Sequence, residues 1–167
     1  MKRYEYEDKF FSIEVTMTGI ICIVTALVSL FFIFAQTMTF VFEIVLIVSI
    51  YQIMNTFFTN SNPKVIEVSD EELILSSYGR KDVYRLDEIN SFKVRQIGTE
   101  KFYVRINKSS VYKGRYWITT NRMNDGKELA DWIKEFELKI HPDSLKAQAI
   151  KSSKLYKEKK EDWYYGR

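Results

Sequence analysis

Three adjacent carboxylates (Asp70, Glu71, Glu72), one histidine (His141) and one cysteine (Cys22) are the residues whose types suit acid/base, metal or nucleophilic chemistry. Their surroundings argue against each use. The carboxylates follow one another on a turn, where they serve as turn and cap residues rather than as an opposed acid and base. His141 stands at a predicted helix end with no Cys, His or paired carboxylate spaced to complete a metal site. Cys22 lies inside an apolar run, away from any base that would make it a thiolate, and as the single cysteine it excludes an internal disulfide. The chain has no Gly-rich phosphate loop and no Gly-x-Ser-x-Gly turn. A non-catalytic protein without cofactor or metal is expected.

A second group of residues suits binding. Lys93, Arg95, Tyr103, Arg105, Arg115 and Trp117 alternate with apolar residues and fall on one face if their segments are strands, giving a candidate basic and aromatic interaction surface. Lys151, Lys154, Lys157, Lys159, Lys160, Trp163, Tyr164 and Tyr165 crowd the last stretch. Beside an anionic leaflet each such lysine gains on the order of 1 kcal/mol, and Trp and Tyr favour the headgroup zone, so this tail is a candidate membrane-surface segment. Gln52 and Asn55, three residues apart on an apolar helix, are candidate intramembrane contacts.

The elements that must carry these groups begin with two apolar runs, Val15–Ala35 and Phe40–Phe58, joined by Gln36–Thr39. Each approaches the roughly 20 residues a helix needs to cross a bilayer. The first is too long for a secretory leader and lacks a small-residue cleavage pattern. No Lys or Arg occurs from Phe10 to Pro63, whereas Lys2, Arg3 and Lys9 precede the first run and Lys64 opens a lysine-rich region. The positive-inside rule therefore predicts a multi-pass protein of the cell membrane with both termini cytoplasmic. Glu14 and Glu43 are read as interfacial end residues. Thr16, Thr18, Gly19, Thr25, Ala26 and Ser29 give the first helix a small side for close packing. Two helices have too few walls for a pore.

From Lys64 the period changes to that of strands. Six are predicted: Val65–Val68, Glu72–Leu75, Asp82–Leu86, Ser91–Arg95, Phe102–Ile106 and Tyr116–Thr119. Facing Val94 with Phe102 and Val104 with Ile118 puts the apolar residues on one side and sets Arg105 beside Trp117 on the other. Asp125 and Glu128 have capping-box spacing, and Leu129, Trp132, Ile133, Phe136 and Ile140 form a helical stripe closed by Pro142. The fold class is an α+β membrane protein. It comprises an N-terminal cytoplasmic segment (1–12), a two-helix transmembrane hairpin (13–60), a small antiparallel sheet or barrel capped by one C-terminal helix (64–141) and a basic tail (142–167). From Lys64 onward 22 Lys and Arg stand against 17 Asp and Glu, a net +5 that an anionic leaflet accounts for without nucleic acid.

Val65–Leu75 with its acidic turn, the passage Arg85-Leu86-Asp87-Glu88-Ile89, and Asn124–Phe136 as closing helix resemble the bacterial pleckstrin-homology-like (PH-like) domains. With the hairpin, the whole chain is similar to the YcxB-like group of small bacterial membrane proteins. The resemblance implies a PH-like fold and no catalytic residues. It also implies that inositide recognition is disfavoured, because the first strand turn, read as Ser69-Asp70-Glu71-Glu72, is acidic. The expected function is a membrane-anchored protein whose domain mediates protein or membrane-surface interaction, with the lipid bilayer, anionic headgroups and a protein partner or second copy as partners. The alternative is an immunity or accessory protein acting through its hairpin against a membrane-active toxin or within a membrane complex.

Overall fold

The computed structural model describes residues 1–150, 152 and 153. It opens with a strand that the sequence reading did not assign, β1 (Lys2–Glu5). Helices α1 (Asp8–Phe34) and α2 (Thr39–Phe58) follow, both long and apolar enough to cross a membrane. Then come β2 (Val65–Val68), β3 (Glu72–Ser77), β4 (Arg80–Arg85), β5 (Phe92–Gln96), β6 (Lys101–Ile106), β7 (Arg115–Thr119) and helix α3 (Gly126–Ile140).

Strand β1 pairs antiparallel with β2, Arg3 opposite Glu67 and Glu5 opposite Val65, and the Tyr6 amide donates to the Lys64 carbonyl at 2.8 Å. The helical hairpin is thus an insertion between two neighbouring strands. Residues 1–12 are not a separate segment: Tyr4, Tyr6 and Phe11 belong to the same core as the strands after Lys64. The acidic turn at Ser69 is consequently the second strand connection, and the hairpin is the first. Ser69-Asp70-Glu71-Glu72 joins β2 to β3, so its acidity does not bear on inositide recognition at the first strand turn.

Among the described residues seven strands form two antiparallel meanders, ordered β1-β2-β3-β4 and β5-β6-β7. Their alternation is visible in burial: Leu73, Leu75 and Ser77 of β3 point inward, as do Phe102, Val104 and Ile106 of β6. Helix α3 covers this core with Leu129, Ala130, Ile133 and Phe136, and Phe136 meets Phe92 edge-on at 4.9 Å. Strand β4 begins two residues earlier than expected. Tyr78 (φ 47) and Gly79 (φ 79) form a two-residue turn, whose left-handed geometry matches strand twist and lets Ser77 pair with Arg80.

The capping box does not form. Asp125 sits in the left-handed region at φ 48 and makes no side-chain cap bond, while Glu128 is engaged by Lys2 and by the Tyr4 hydroxyl across the domain. His141 does cap the end of α3, and its Nε2 accepts the Phe92 amide at 3.2 Å.

Within the hairpin, Gly19, Ala26 and Ser29 of α1 are buried, so the small side packs inside the chain itself. A side chain at Gly19 would meet Thr56 Cγ2 and Phe57 Cε2, both at 2.6 Å. Near the connecting turn Phe32 stacks on Phe42 at 4.5 Å. Phe31, Phe34, Phe40 and Ile47 point outward and are exposed. Such a surface suits hydrocarbon rather than water.

Candidate functional site

The outer face of β5-β6-β7 carries the predicted patch as a grid. One row across the three strands is Lys93, Arg105 and Arg115; the next is Arg95, Tyr103 and Trp117. All six residues share this face, as expected, but the register differs by one pair of residues in each hairpin. Val94 faces Val104 rather than Phe102, and Val104 faces Tyr116 rather than Ile118. Arg105 therefore lies beside Arg115, and Trp117 lies beside Tyr103, with ring centroids 4.6 Å apart. The loops explain the shift. The Ile97 amide reaches the Lys101 carbonyl at 2.7 Å, so β5 and β6 pair further toward Gly98, which supplies φ 76 in a three-residue loop. The Ile106 amide likewise takes the Gly114 carbonyl at 3.0 Å. A slip of two residues exchanges neighbours but keeps every side chain on its face.

Electrostatically the grid is uncompensated. Cross-strand neighbours stand about 5 Å apart, and like charges there are destabilising. Among the described residues none of Lys93, Arg95, Arg105 and Arg115 joins an ion pair. Arg105 Nε donates to Ser109 Oγ at 3.0 Å, and Arg115 donates to the Val111 carbonyl at 3.2 Å while its Nε is buried with no acceptor among the described residues. Lys101 adds a cation over Trp117 at 5.6 Å. Three cations in a row with an aromatic pair beside them form a surface suited to an anionic counterpart.

This face is tied to the base of the hairpin. The Trp117 amide donates to the Ser61 carbonyl at 2.7 Å, three residues beyond the end of α2. Glu14, read as an interfacial end residue, accepts from the Tyr6 hydroxyl at 2.8 Å and from Arg122 Nε at 3.0 Å. Arg122 also lies over Phe10 at 4.0 Å. Asp8 pairs with Lys64 at 2.5 Å, Thr16 bonds to Tyr78 at 2.6 Å, and Arg80 donates to the Phe58 carbonyl. Singly, half-exposed pairs of this kind contribute at most about 1 kcal/mol. Together they fix the angle between hairpin and sheets. Burial, and then the Glu14 carboxylate, raise the Tyr6 hydroxyl above its usual range.

The remaining candidates fall elsewhere. Asn55 turns back to its own chain, accepting from Ser61 Oγ at 3.5 Å, while Gln52 stays half-buried on α2. Glu43 is exposed near the turn of the hairpin. Lys146 pairs with Glu137 of α3. The proposed tail contacts at Lys151, Lys154, Lys157, Lys159, Lys160, Trp163, Tyr164 and Tyr165 lie outside the described residues. No group of three His, Cys, Asp or Glu suited to a metal occurs among the described residues.

Sequence reasoning did not find the hydroxyl chain that joins the two sheets. Tyr84 and Tyr116 share a hydrogen bond at 2.6 Å, and Tyr116 donates to Asp82 Oδ2 at 2.7 Å. Burial pushes Tyr84 up to about 12 from 10.0 and raises Tyr116 as well, where Tyr84 and Asp82 add to the effect. The folded state thus holds protons that the unfolded state releases near pH 10, so the stability these groups contribute is complete below that pH. It falls from about pH 10 to 12, by up to ~1.4 kcal/mol per pH unit for each tyrosine. Urea midpoints measured across this range should drop accordingly. Tyr116→Phe should flatten the drop while costing about 1–3 kcal/mol at neutral pH, because Asp82 and Tyr84 lose their partner. An unchanged alkaline slope in that variant would contradict the assignment.

No protein-family model, curated protein or solved structure matches this chain.

Proposed function

We propose that this protein is a non-catalytic, membrane-anchored interaction module of the YcxB-like kind, whose PH-like domain presents its basic and aromatic face to a partner at the cytoplasmic leaflet. One observation carries the reading: the hairpin is inserted between β1 and β2 and bonded at its base to the sheets, so the anchor and the domain form one body. An anchor joined in this way sets the height and angle of the patch above the bilayer, which a flexible tether would not. Four strands, three strands and one closing helix support the PH-like description. The lysine and arginine distribution supports a cytoplasmic domain. The uncompensated row Lys93, Arg105 and Arg115 favours an acidic protein surface or anionic headgroups as what is bound.

Site-specific photo-crosslinking in native membranes tests the proposal. A photoreactive residue at Tyr103 or Trp117 should capture a protein or lipid, and the yield should fall severalfold when Arg105→Glu and Arg115→Glu are combined. A probe at Gln52 should capture much less. Strong capture from Gln52 with none from the patch would transfer the function to the hairpin and sink this reading.

A further inference from the structure

The four outer strands of the two sheets differ in how their outward backbone groups are used. At β5 the Val94 amide donates to Glu137 Oε1 at 2.8 Å and the Phe92 amide to His141, so α3 closes that edge. At β7 the Trp117 amide is taken by Ser61. At β1 Asn124 engages both the amide of Glu5 and the carbonyl of Arg3, and Tyr6 bridges to Met123. Strand β4 is different. The Leu86 amide donates to Glu71 at 2.7 Å, and by strand alternation the amides of Tyr84, Asp82 and Arg80 also face β3. Those of Lys81, Val83 and Arg85 face away, and among the described residues none of the three meets an acceptor. Open edges of this length are ordinarily blocked; here β1 and β5 are closed by side chains and β7 is held at Trp117, whereas no outward amide of β4 is engaged among the described residues.

We infer that the β4 edge is a strand-addition site for the juxtamembrane segment of a second membrane protein, extended, with a carboxylate beside Lys81 and a branched apolar residue beside Val83. Charge selects this occupant. Arg85 is already paired with Asp87 and Glu88 at 3.0 and 3.6 Å, whereas Arg80 and Lys81 have no acidic partner among the described residues. The positive charge left uncompensated is therefore at the start of the strand. A second copy fits poorly: antiparallel pairing of two β4 strands about Val83 sets Lys81 against Arg85 twice, and like charges opposite one another destabilise a sheet. Height selects a membrane protein. Arg80 donates to the carbonyl of Phe58 and its guanidinium lies 5.6 Å from the Phe58 ring, so β4 begins where α2 ends. A partner chain emerging from its own transmembrane helix reaches Lys81 within its first extended residues. Main-chain hydrogen bonds then supply affinity and alternate side chains the selectivity. The inference rests on the membrane-anchored reading for the height of β4, and uses a surface other than the β5-β6-β7 face.

The test uses the full chain in nanodiscs and two blocked probe peptides, Glu-Thr-Val-Thr-Glu and Lys-Thr-Val-Thr-Lys. The acidic peptide offers Lys81 a carboxylate in either strand direction. It should slow amide exchange at Lys81, Val83 and Arg85 about tenfold at saturation, with the lysine peptide inactive. Val83→Pro removes only an outward N–H, a position where an edge strand tolerates proline, and should abolish the protection. Lys81→Glu should reverse the peptide preference, which keeps the test decisive if the proline variant fails to fold. No protection at ~1 mM acidic peptide, or equal protection by both peptides, overturns the inference. So does protection of these amides before peptide is added, since the edge is then occupied by this chain or its second copy. Failure of patch crosslinking leaves these readouts unaffected, so the two proposals fail separately.

Discussion

A chain in which Ser12–Phe58 is replaced by a Gly-Ser linker of roughly six residues is expected to fold as a soluble domain, whereas a chain starting at Lys64 is expected not to fold. The reason is the path of the backbone. Tyr6 and Lys64 are hydrogen-bonded neighbours on adjacent strands, and the hairpin leaves and returns between them. Packed helices stand about 8–10 Å apart, which a flexible linker of that length spans. The shortened chain keeps Tyr4, Tyr6 and Phe11, each at most 5% exposed, and the buried run Thr59–Ser61. It loses the bonds that Glu14 makes to Tyr6 and Arg122, that Thr16 makes to Tyr78 and that the Phe58 carbonyl accepts from Arg80, a cost of about 1 kcal/mol each for such partly exposed contacts. The chain starting at Lys64 loses all three aromatic residues and bares the edge of β2. Truncating one large buried aromatic costs about 3–5 kcal/mol, so losing three approaches the entire 5–15 kcal/mol that stabilises a typical domain. Near-UV circular dichroism and thermal unfolding distinguish the cases. A cooperative transition in the chain starting at Lys64 would falsify the claim that β1 belongs to the domain.

The two apolar runs, the strands after Lys64 and the closing helix were legible because each repeats its own period over enough residues. The patch was legible for a further reason: which face a strand residue occupies depends only on parity, so Lys93, Arg95, Tyr103, Arg105, Arg115 and Trp117 share a face in either register. Their neighbours were not legible, because the loops at Gly98 and Gly114 decide how far each pair of strands extends. Strand β1 was hidden. Its four residues, Lys-Arg-Tyr-Glu, alternate too briefly to stand out, and its partner β2 follows more than 50 residues later. With β1 unseen, residues 1–12 read as a cytoplasmic segment, the acidic turn read as the first connection, and Glu14 read as an interfacial end residue with no partner named for it. The open edge at β4 could not be read either, since it is defined by what Glu137, His141, Asn124 and Ser61 do to the other edges.

Gly126→Ala is expected to destabilise the domain by about 3 kcal/mol or more, although alanine is the better helix former by roughly 1 kcal/mol. Gly126 is the first residue of α3, is buried and has an ordinary negative φ, so propensity alone argues for a gain. Space decides otherwise. A Cβ built there lies 1.7 Å from the Thr120 carbonyl oxygen and 2.6 Å from its carbon, and both atoms are backbone. Thr120 is only 1% exposed, and its amide and hydroxyl both donate to the Glu100 carbonyl, so the turn cannot move aside without releasing the end of β7. The alternative is for α3 to retreat, which would separate Glu137 and His141 from the amides of Val94 and Phe92. Either way the effect travels to the β5-β7 sheet. Thermal unfolding of the full chain in detergent measures the loss, and hydrogen exchange should show faster opening at Phe92 and Val94 than at Ile66, which pairs in the other sheet. Unchanged or raised stability in Gly126→Ala would mean that α3 does not approach Thr120 this closely, and the closure of the β5 edge by Glu137 and His141 would have to be reconsidered with it.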